Sequence, residues 1–117
     1  GVWRDRDALP VAHEAIPPAW DHARGRAVDR EPLDNCFTGW RGGARLPGLR
    51  IGAGPTLGAL QVFTPAGANF FCVEPVSHVP DAINRPALRE GQKMTVLAPG
   101  HMLAASMTIS PADGAPS

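Results

Sequence analysis

Apolar and polar positions divide the chain into two unequal parts. From Asn35 onward, short apolar runs recur, each bounded by Gly, Pro or Asn. They are Cys36 to Trp40, Leu49 to Ala53, Leu60 to Thr64, Phe70 to Glu74, Met94 to Ala98 and Met102 to Ile109. Runs of this length between turn residues predict strands. In the last of them Leu103, Ala105, Met107 and Ile109 alternate with smaller or polar residues in period two, as a half-buried strand requires. Ala66-Gly67-Ala68 predicts a hairpin link between two of the runs, and Pro99-Gly100 links the last two. Residues 1–32 read differently: Pro10, Pro17, Pro18 and Pro32 interrupt a polar stretch with no sustained helical periodicity. That stretch is expected to be irregular, with one short helical turn around Ala19 to Ala23 after the proline pair. Short strands joined by turn signals predict an all-β fold, an antiparallel β-sandwich over residues 33–110. The small, Pro-rich tail of residues 111–117 is expected to fray.

Composition narrows the function classes. A chain of 117 residues fits one small domain. Lys plus Arg and Asp plus Glu balance at 11 each, and no basic stripe is present, which argues against nucleic acid and against an anionic membrane surface. No apolar run approaches the roughly 20 residues that span a bilayer, and no signal-peptide pattern opens the chain. Cys36 and Cys72 lie in apolar, strand-like contexts and read as free thiols of a cytoplasmic protein rather than a disulfide. Their spacing and the lack of an adjacent His argue against a zinc site, and no metal or cofactor is expected. No phosphate-binding loop is present either, because Gly39 to Gly43 lacks the Lys-Ser/Thr ending. Asp5 and Asp7 read as a solvated turn.

Against this background one residue stands out. Between Arg50 and Asp81 the only charged side chain is Glu74, at the end of the run Phe70-Phe71-Cys72-Val73. It is expected at a strand terminus among apolar neighbours, short of free solvent. Desolvation disfavours the charged form of a carboxylate and makes it a usable general base near neutral pH. The competing reading is an exposed strand end or the partner of a structural Arg. The polar loop that follows, Pro75-Val76-Ser77-His78-Val79-Pro80-Asp81-Ala82-Ile83-Asn84, is pinned by two prolines and favours the chemical reading.

Two segments carry a resemblance. Leu33-Asp34-Asn35-Cys36-Phe37-Thr38-Gly39-Trp40 and Phe70-Phe71-Cys72-Val73-Glu74-Pro75-Val76-Ser77-His78 resemble the C-terminal half of bacterial aldose 1-epimerases, the galactose mutarotases. Leu60-Gln61-Val62-Phe63-Thr64-Pro65 and Leu97-Ala98-Pro99-Gly100 fall in the same order as in that family, so the likeness runs from about Trp3 to Ile109. Arg41 and His101 stand where the family more often has an acid. Family members are far longer. The resemblance therefore implies a C-terminal portion of a supersandwich domain, a fragment or trimmed product, with the general-acid and sugar-binding histidines in the part before Gly1. The partners it implies are an aldohexose and either that N-terminal half or a second copy of the chain.

The resemblance also assigns roles. Glu74 would be the general base of mutarotation, and Asp34 the carboxylate that orients the sugar by accepting hydrogen bonds from neighbouring hydroxyls. Without the family match, Asp34 reads as a local turn with Asn35. His78 either reaches the site or holds a nearby carbonyl, and the structural role is favoured. Trp40 either packs in the core or offers an apolar face to the sugar, whereas Phe63 reads as core. His13, His22 and His101 have no local partner and read as surface residues. Two other functions compete: a carbohydrate-binding module without catalysis, and a relative acting on hexose phosphates through Arg41, Arg45 and Arg85.

Overall fold

The structure, a computed structural model, describes residues 1–7 and 9–112. Within them the fold is all-β: two antiparallel sheets, two short 3₁₀ turns and no α-helix. Strands β1 (Val2–Arg6), β2 (Leu9–Glu14), β3 (Leu33–Thr38), β6 (Ala59–Thr64) and β7 (Cys72–Val76) form a five-stranded sheet in the order β2-β1-β3-β6-β7. Strands β4 (Gly43–Leu46), β5 (Leu49–Ala53) and β8 (Met107–Pro111) form a three-stranded sheet in the order β4-β5-β8. Residues 113–117, most of the tail expected to fray, lie outside the described residues.

The core is built on both faces of the larger sheet. Val2, Trp20, Leu33, Phe37 and Val62 pack on one face, with Leu60 against them. Trp3, Cys36, Ala59, Val79 and Ala82 pack on the other, joined by Val76, Leu88 and Met94. Register explains the division. Cys36 is opposite Gln61 and Thr38 opposite Ala59, so alternate residues of each strand supply one cluster. Val2 and Trp3 are consecutive and therefore point to opposite faces, one into each cluster. Trp20 arrives from the 3₁₀ turn Pro18–Trp20. The residues after β7 fold back over the second face, bringing Val79, Ala82, Leu88 and Met94 onto Trp3 and Cys36.

The N-terminal stretch corrects the expectation of irregular chain. It forms a β1–β2 hairpin, turned through Asp7 at φ 52°, that adds two strands to the sheet. Proline and charge hid it. β2 is an edge strand, where Pro10 removes no needed hydrogen bond, and Arg4 pairs with Glu14 across the hairpin at 2.7 Å. Covering β1 on both faces removed the one-sided alternation that marks a strand in sequence. The helical turn is shorter than expected, at Pro18–Trp20.

Other expectations need correction as well. Leu49–Ala53 is a strand with the bounds expected, and Ala66-Gly67-Ala68 lies in the β6–β7 link. Gly43–Leu46 is a strand that had no apolar run to announce it. Met94 to Ala98 is not a strand, and Pro99-Gly100 turns without joining two strands. Met94 is used to cover the larger sheet, while Val96, 84 % exposed, has no neighbouring strand to pair with. The final strand begins only at Met107, where β8 meets β5 with Ile51 opposite Ile109.

Candidate functional site

The antiparallel register places the candidate carboxylates on one sheet face. Across β3, β6 and β7, Cys36 is opposite Gln61 and Gln61 is opposite Glu74. Asp34, two residues before Cys36, therefore points to the same side as Gln61 and Glu74. Two strand spacings and a two-residue offset put the Cα atoms of Asp34 and Glu74 about 12 Å apart. Gln61 stands between them, and its Nε2 donates to Asp34 Oδ1 at 2.8 Å.

Glu74 lies in the middle of β7, not at its end, and is exposed. The burial expected of it is thus not found in this chain. The reason is topological: β7 is an edge strand, and Pro75 after Glu74 is tolerated because an edge has one free side. An open depression of about 540 Å³ adjoins Glu74, walled by Gln61, Val76, His78 and Asp81 among others. Its rim is the loop expected from the two prolines, which turns back at Asp81 with φ 60°. His78 is half-buried there, its Nδ1 2.8 Å from Ser77 Oγ rather than on a carbonyl.

Asp34 is exposed and does not line that depression; it borders a second one, of about 450 Å³, with Arg4, Asp5, Trp20, Pro32 and Asn35. This gap opens because β1 and β3 share a single register pair, Val2 with Phe37, and a bulge follows at Arg4/Asp5. Asn35 closes the floor, its Nδ2 donating to the Trp3 carbonyl at 3.0 Å. The Asp34 side chain makes no local turn with Asn35; instead the Asp34 backbone N–H donates to Asn35 Oδ1 at 3.2 Å. Asp5 is on β1 rather than in a turn. Partial desolvation, and then the Asp34 charge, raise its carboxyl above the ordinary value of 3.8.

Trp40 does not join this site. It follows the far end of β3, roughly 20 Å along the chain direction from Asp34, and its Nε1 donates to the Gly43 carbonyl at 2.7 Å. That bond assigns it to the loop before β4. Phe63 is half-buried and meets Phe70 edge-on at 6.4 Å, outside the two core clusters. His13 and His22 are exposed but partnered: His13 Nε2 is 2.7 Å from Thr38 Oγ1, and His22 stands edge-on to Phe37 at 5.1 Å. Arg41, Arg45 and Arg85 fall on separate elements. Arg85 lies over the Trp3 ring, 5.0 Å from its centroid, and is paired with Asp81. Both cysteines are free, and burial pushes the Cys36 thiol up to about 12. Among the described residues no group of three or more His, Cys, Asp and Glu is arranged to hold a metal.

Gln61 and Asp5 are the site residues that sequence reasoning passed over. Gln61 did leave a trace, as the polar residue inside the apolar run Ala59-Leu60-Gln61-Val62-Phe63. Asp5 left none, since β1 itself was not recognised.

Comparison with known proteins adds one relative. The chain is 29 % identical, over 124 aligned positions, to the Escherichia coli (strain K12) protein named "Uncharacterized protein YphB", covering 93 % of this chain. It spans 42 % of that protein's length. No family model and no solved structure matches the chain. No helix among the described residues is long and apolar enough to cross a membrane.

Proposed function

We propose that this chain is the C-terminal portion of an aldose 1-epimerase, a cytoplasmic enzyme that interconverts the α and β anomers of hexoses such as galactose or glucose. One observation carries the reading: Asp34 and Glu74 share a sheet face, about 12 Å apart at Cα, with Gln61 between them, bonded to Asp34 and lining with Glu74 an open depression. Glu74 takes the proton of the anomeric hydroxyl as the bond from C1 to the ring oxygen breaks. An acid delivers a proton to the ring oxygen. Rotation of the aldehyde and the reverse transfers then close the other anomer. Asp34 holds the ring by accepting from its hydroxyls. The acid is assigned to a histidine beyond these residues, and His78 serves the wall of the depression. Glu74 is exposed here. The reading therefore requires that the site be covered, by the remainder of a longer protein or by a second copy, before the base is effective.

Polarimetry on galactose and glucose tests the reading. The 117-residue chain alone is expected to accelerate mutarotation weakly or not at all, and an upstream-extended protein strongly. In the extended protein Glu74→Gln should lower turnover by about 10²–10⁴ while sugar affinity is largely kept. Asp34→Asn should weaken both. Near-normal turnover by Glu74→Gln would make the residue structural and the proposal wrong.

A further inference from the structure

The smaller sheet sorts its side chains completely by face. Ile51 of β5 is opposite Ala44 on one side and Ile109 on the other, Leu49 is opposite Leu46, and Ala53 is opposite Met107. Opposed residues and alternate residues of one strand share a face, so all of these apolar side chains stand on the same one. Arg45 and Ser110, both opposite Arg50, fall on the other face together with Thr108. An antiparallel sheet divided in this way has one face for solvent and one for an apolar neighbour. No such neighbour exists among the described residues. The apolar face joins neither core cluster, and Leu49, Met107 and Ile109 are 44 %, 50 % and 61 % exposed. Only Ile51, flanked by Ala44 and Ile109, is buried. The strip continues past β8. Gly54 N–H donates to the Ser106 carbonyl at 3.0 Å and Thr56 Oγ1 to the Ala104 carbonyl at 2.8 Å, so the chain before β8 runs beside the chain after β5. Leu103, 45 % exposed, is in period-two phase with Met107 and Ile109.

We infer that the apolar face of the smaller sheet is a self-association surface, on which two copies of this chain stack about a twofold axis near Ile51. The two three-stranded sheets, about 10 Å apart, then form a six-stranded sandwich with this face taken twice as its interior. Two properties of the face favour a second copy. It carries no charge, and Arg45 and Arg50 belong to the opposite side, so identical copies meet without like-charge contact. Its area is also sufficient for a reversible contact. Three strands about 4.8 Å apart, followed from Leu103 to Pro111, make a strip roughly 14 Å by 30 Å. The projected area is roughly 400 Å² per copy, near 800 Å² for the pair, below the standard range of about 1,200–2,000 Å². The dimer is therefore weak and concentration-dependent. Glu74 lies on the other sheet, so this pairing is independent of the aldose reading.

The test is sedimentation equilibrium on the 117-residue chain across roughly 1 μM to 1 mM, the span in which an interface this small dissociates. Wild type should pass from monomer to dimer with no larger species. Ile109→Glu should weaken the dimer about a hundredfold or more, because the pairing would bury two unpaired carboxylates. Ser110→Glu, one residue further on and on the opposite face beside Arg50, should dimerise as wild type does. At the lowest concentration Ile109→Glu should keep the circular dichroism and urea midpoint of wild type, since its side chain is exposed in the single copy. Should Ile109→Glu not fold, Met107→Glu, also exposed in the single copy, carries the same expectation. If Ile109→Glu dimerises as tightly as wild type, or Ser110→Glu disrupts the dimer equally, another surface makes the contact and the inference is overturned. Wild type that stays monomeric throughout overturns it as well. If Ile109→Glu then lowers the urea midpoint of an upstream-extended protein, the face belongs to packing within one longer chain.

Discussion

Trp3→Ala tests whether the N-terminal strand holds the site together. Trp3 is 7 % exposed and packs with Cys36, Val79 and Ala82. It thereby pins the segment after β7 to the sheet. Its Nε1 donates to Gln92 Oε1 at 3.1 Å, and the Arg85 guanidinium lies 5.0 Å from its ring centroid. Burying an indole removes about 150–250 Å² from water, and truncating a buried Trp to Ala costs about 3–5 kcal/mol. The indole bond contributes about 1 kcal/mol and the Arg85 contact about 0.5–1 kcal/mol. The whole change should therefore cost about 5–7 kcal/mol, comparable with the entire stability of many domains of this size. Trp3→Phe keeps most of the apolar area and loses the bond to Gln92, so about 1–2 kcal/mol is expected. Urea denaturation followed by far-ultraviolet circular dichroism gives the energies. Limited trypsin digestion gives the location, since Arg89 lies in the pinned segment, whereas Arg85 precedes Pro86 and resists trypsin. Cleavage there should speed up strongly in Trp3→Ala and only slightly in Trp3→Phe. A loss below about 1 kcal/mol for Trp3→Ala, with unchanged cleavage at Arg89, would refute the packing described for β1 and for the wall of the depression.

Acidification should weaken the fold in a defined window. Burial first, and then nearby cations (the N-terminal ammonium and next Arg89 for His13, Arg26 for His22), hold both imidazoles below the ordinary value of 6.5. The unfolded chain therefore binds protons more readily, so this stability is complete above about 6.5 and declines as pH falls from there through the folded values. Asp5 acts in the opposite sense, because its raised carboxyl favours the fold at low pH and loses that effect as pH rises through its folded value. Urea midpoints should fall between pH 7.5 and 5.5, and His13→Gln with His22→Gln should flatten the slope; an unchanged slope would contradict the assignment. Alkylation at pH 8 should label Cys72 and spare Cys36, which is 1 % exposed and whose thiol, pushed up to about 12, is ionised to about one part in 10⁴; equal labelling in the native chain would count against the burial of β3. Gly42→Ala should cost about 1–3 kcal/mol, because Gly42 has φ +81° and a Cβ would strike the Ala53 carbonyl oxygen. A neutral result in urea denaturation would mean that the β4–β5 pairing can shift.

The strand-forming part of the fold was legible because its signals are local. Leu49–Ala53 and Ala59–Thr64 are apolar runs closed by turn residues, and such runs form strands in most settings. The loop after Glu74 was legible for the same reason, since two prolines restrict the backbone wherever they stand. Other features depended on partners distant in sequence. Val2-Trp3-Arg4-Asp5-Arg6 becomes a strand because β2 pairs along its whole length and β3 joins it at Val2, while Met94 to Ala98 stays irregular because no strand lies beside it. The same holds for the site. The sequence singled out Glu74 as a lone charge in an apolar stretch, and Asp34 through the resemblance alone, with Trp40 and His78 beside the same motifs. Register then decided which share a face: Asp34 and Glu74 do, His78 reaches the wall, and Trp40 is carried off by the bond to Gly43. Exposure of Glu74 was likewise a tertiary outcome, set by the edge position of β7, because an apolar sequence neighbourhood says nothing about which side of a sheet is covered. Gln61 shows the limit most clearly. Its polarity in an apolar strand was visible, but the unpaired Oε1 between two carboxylates exists only once three strands have paired.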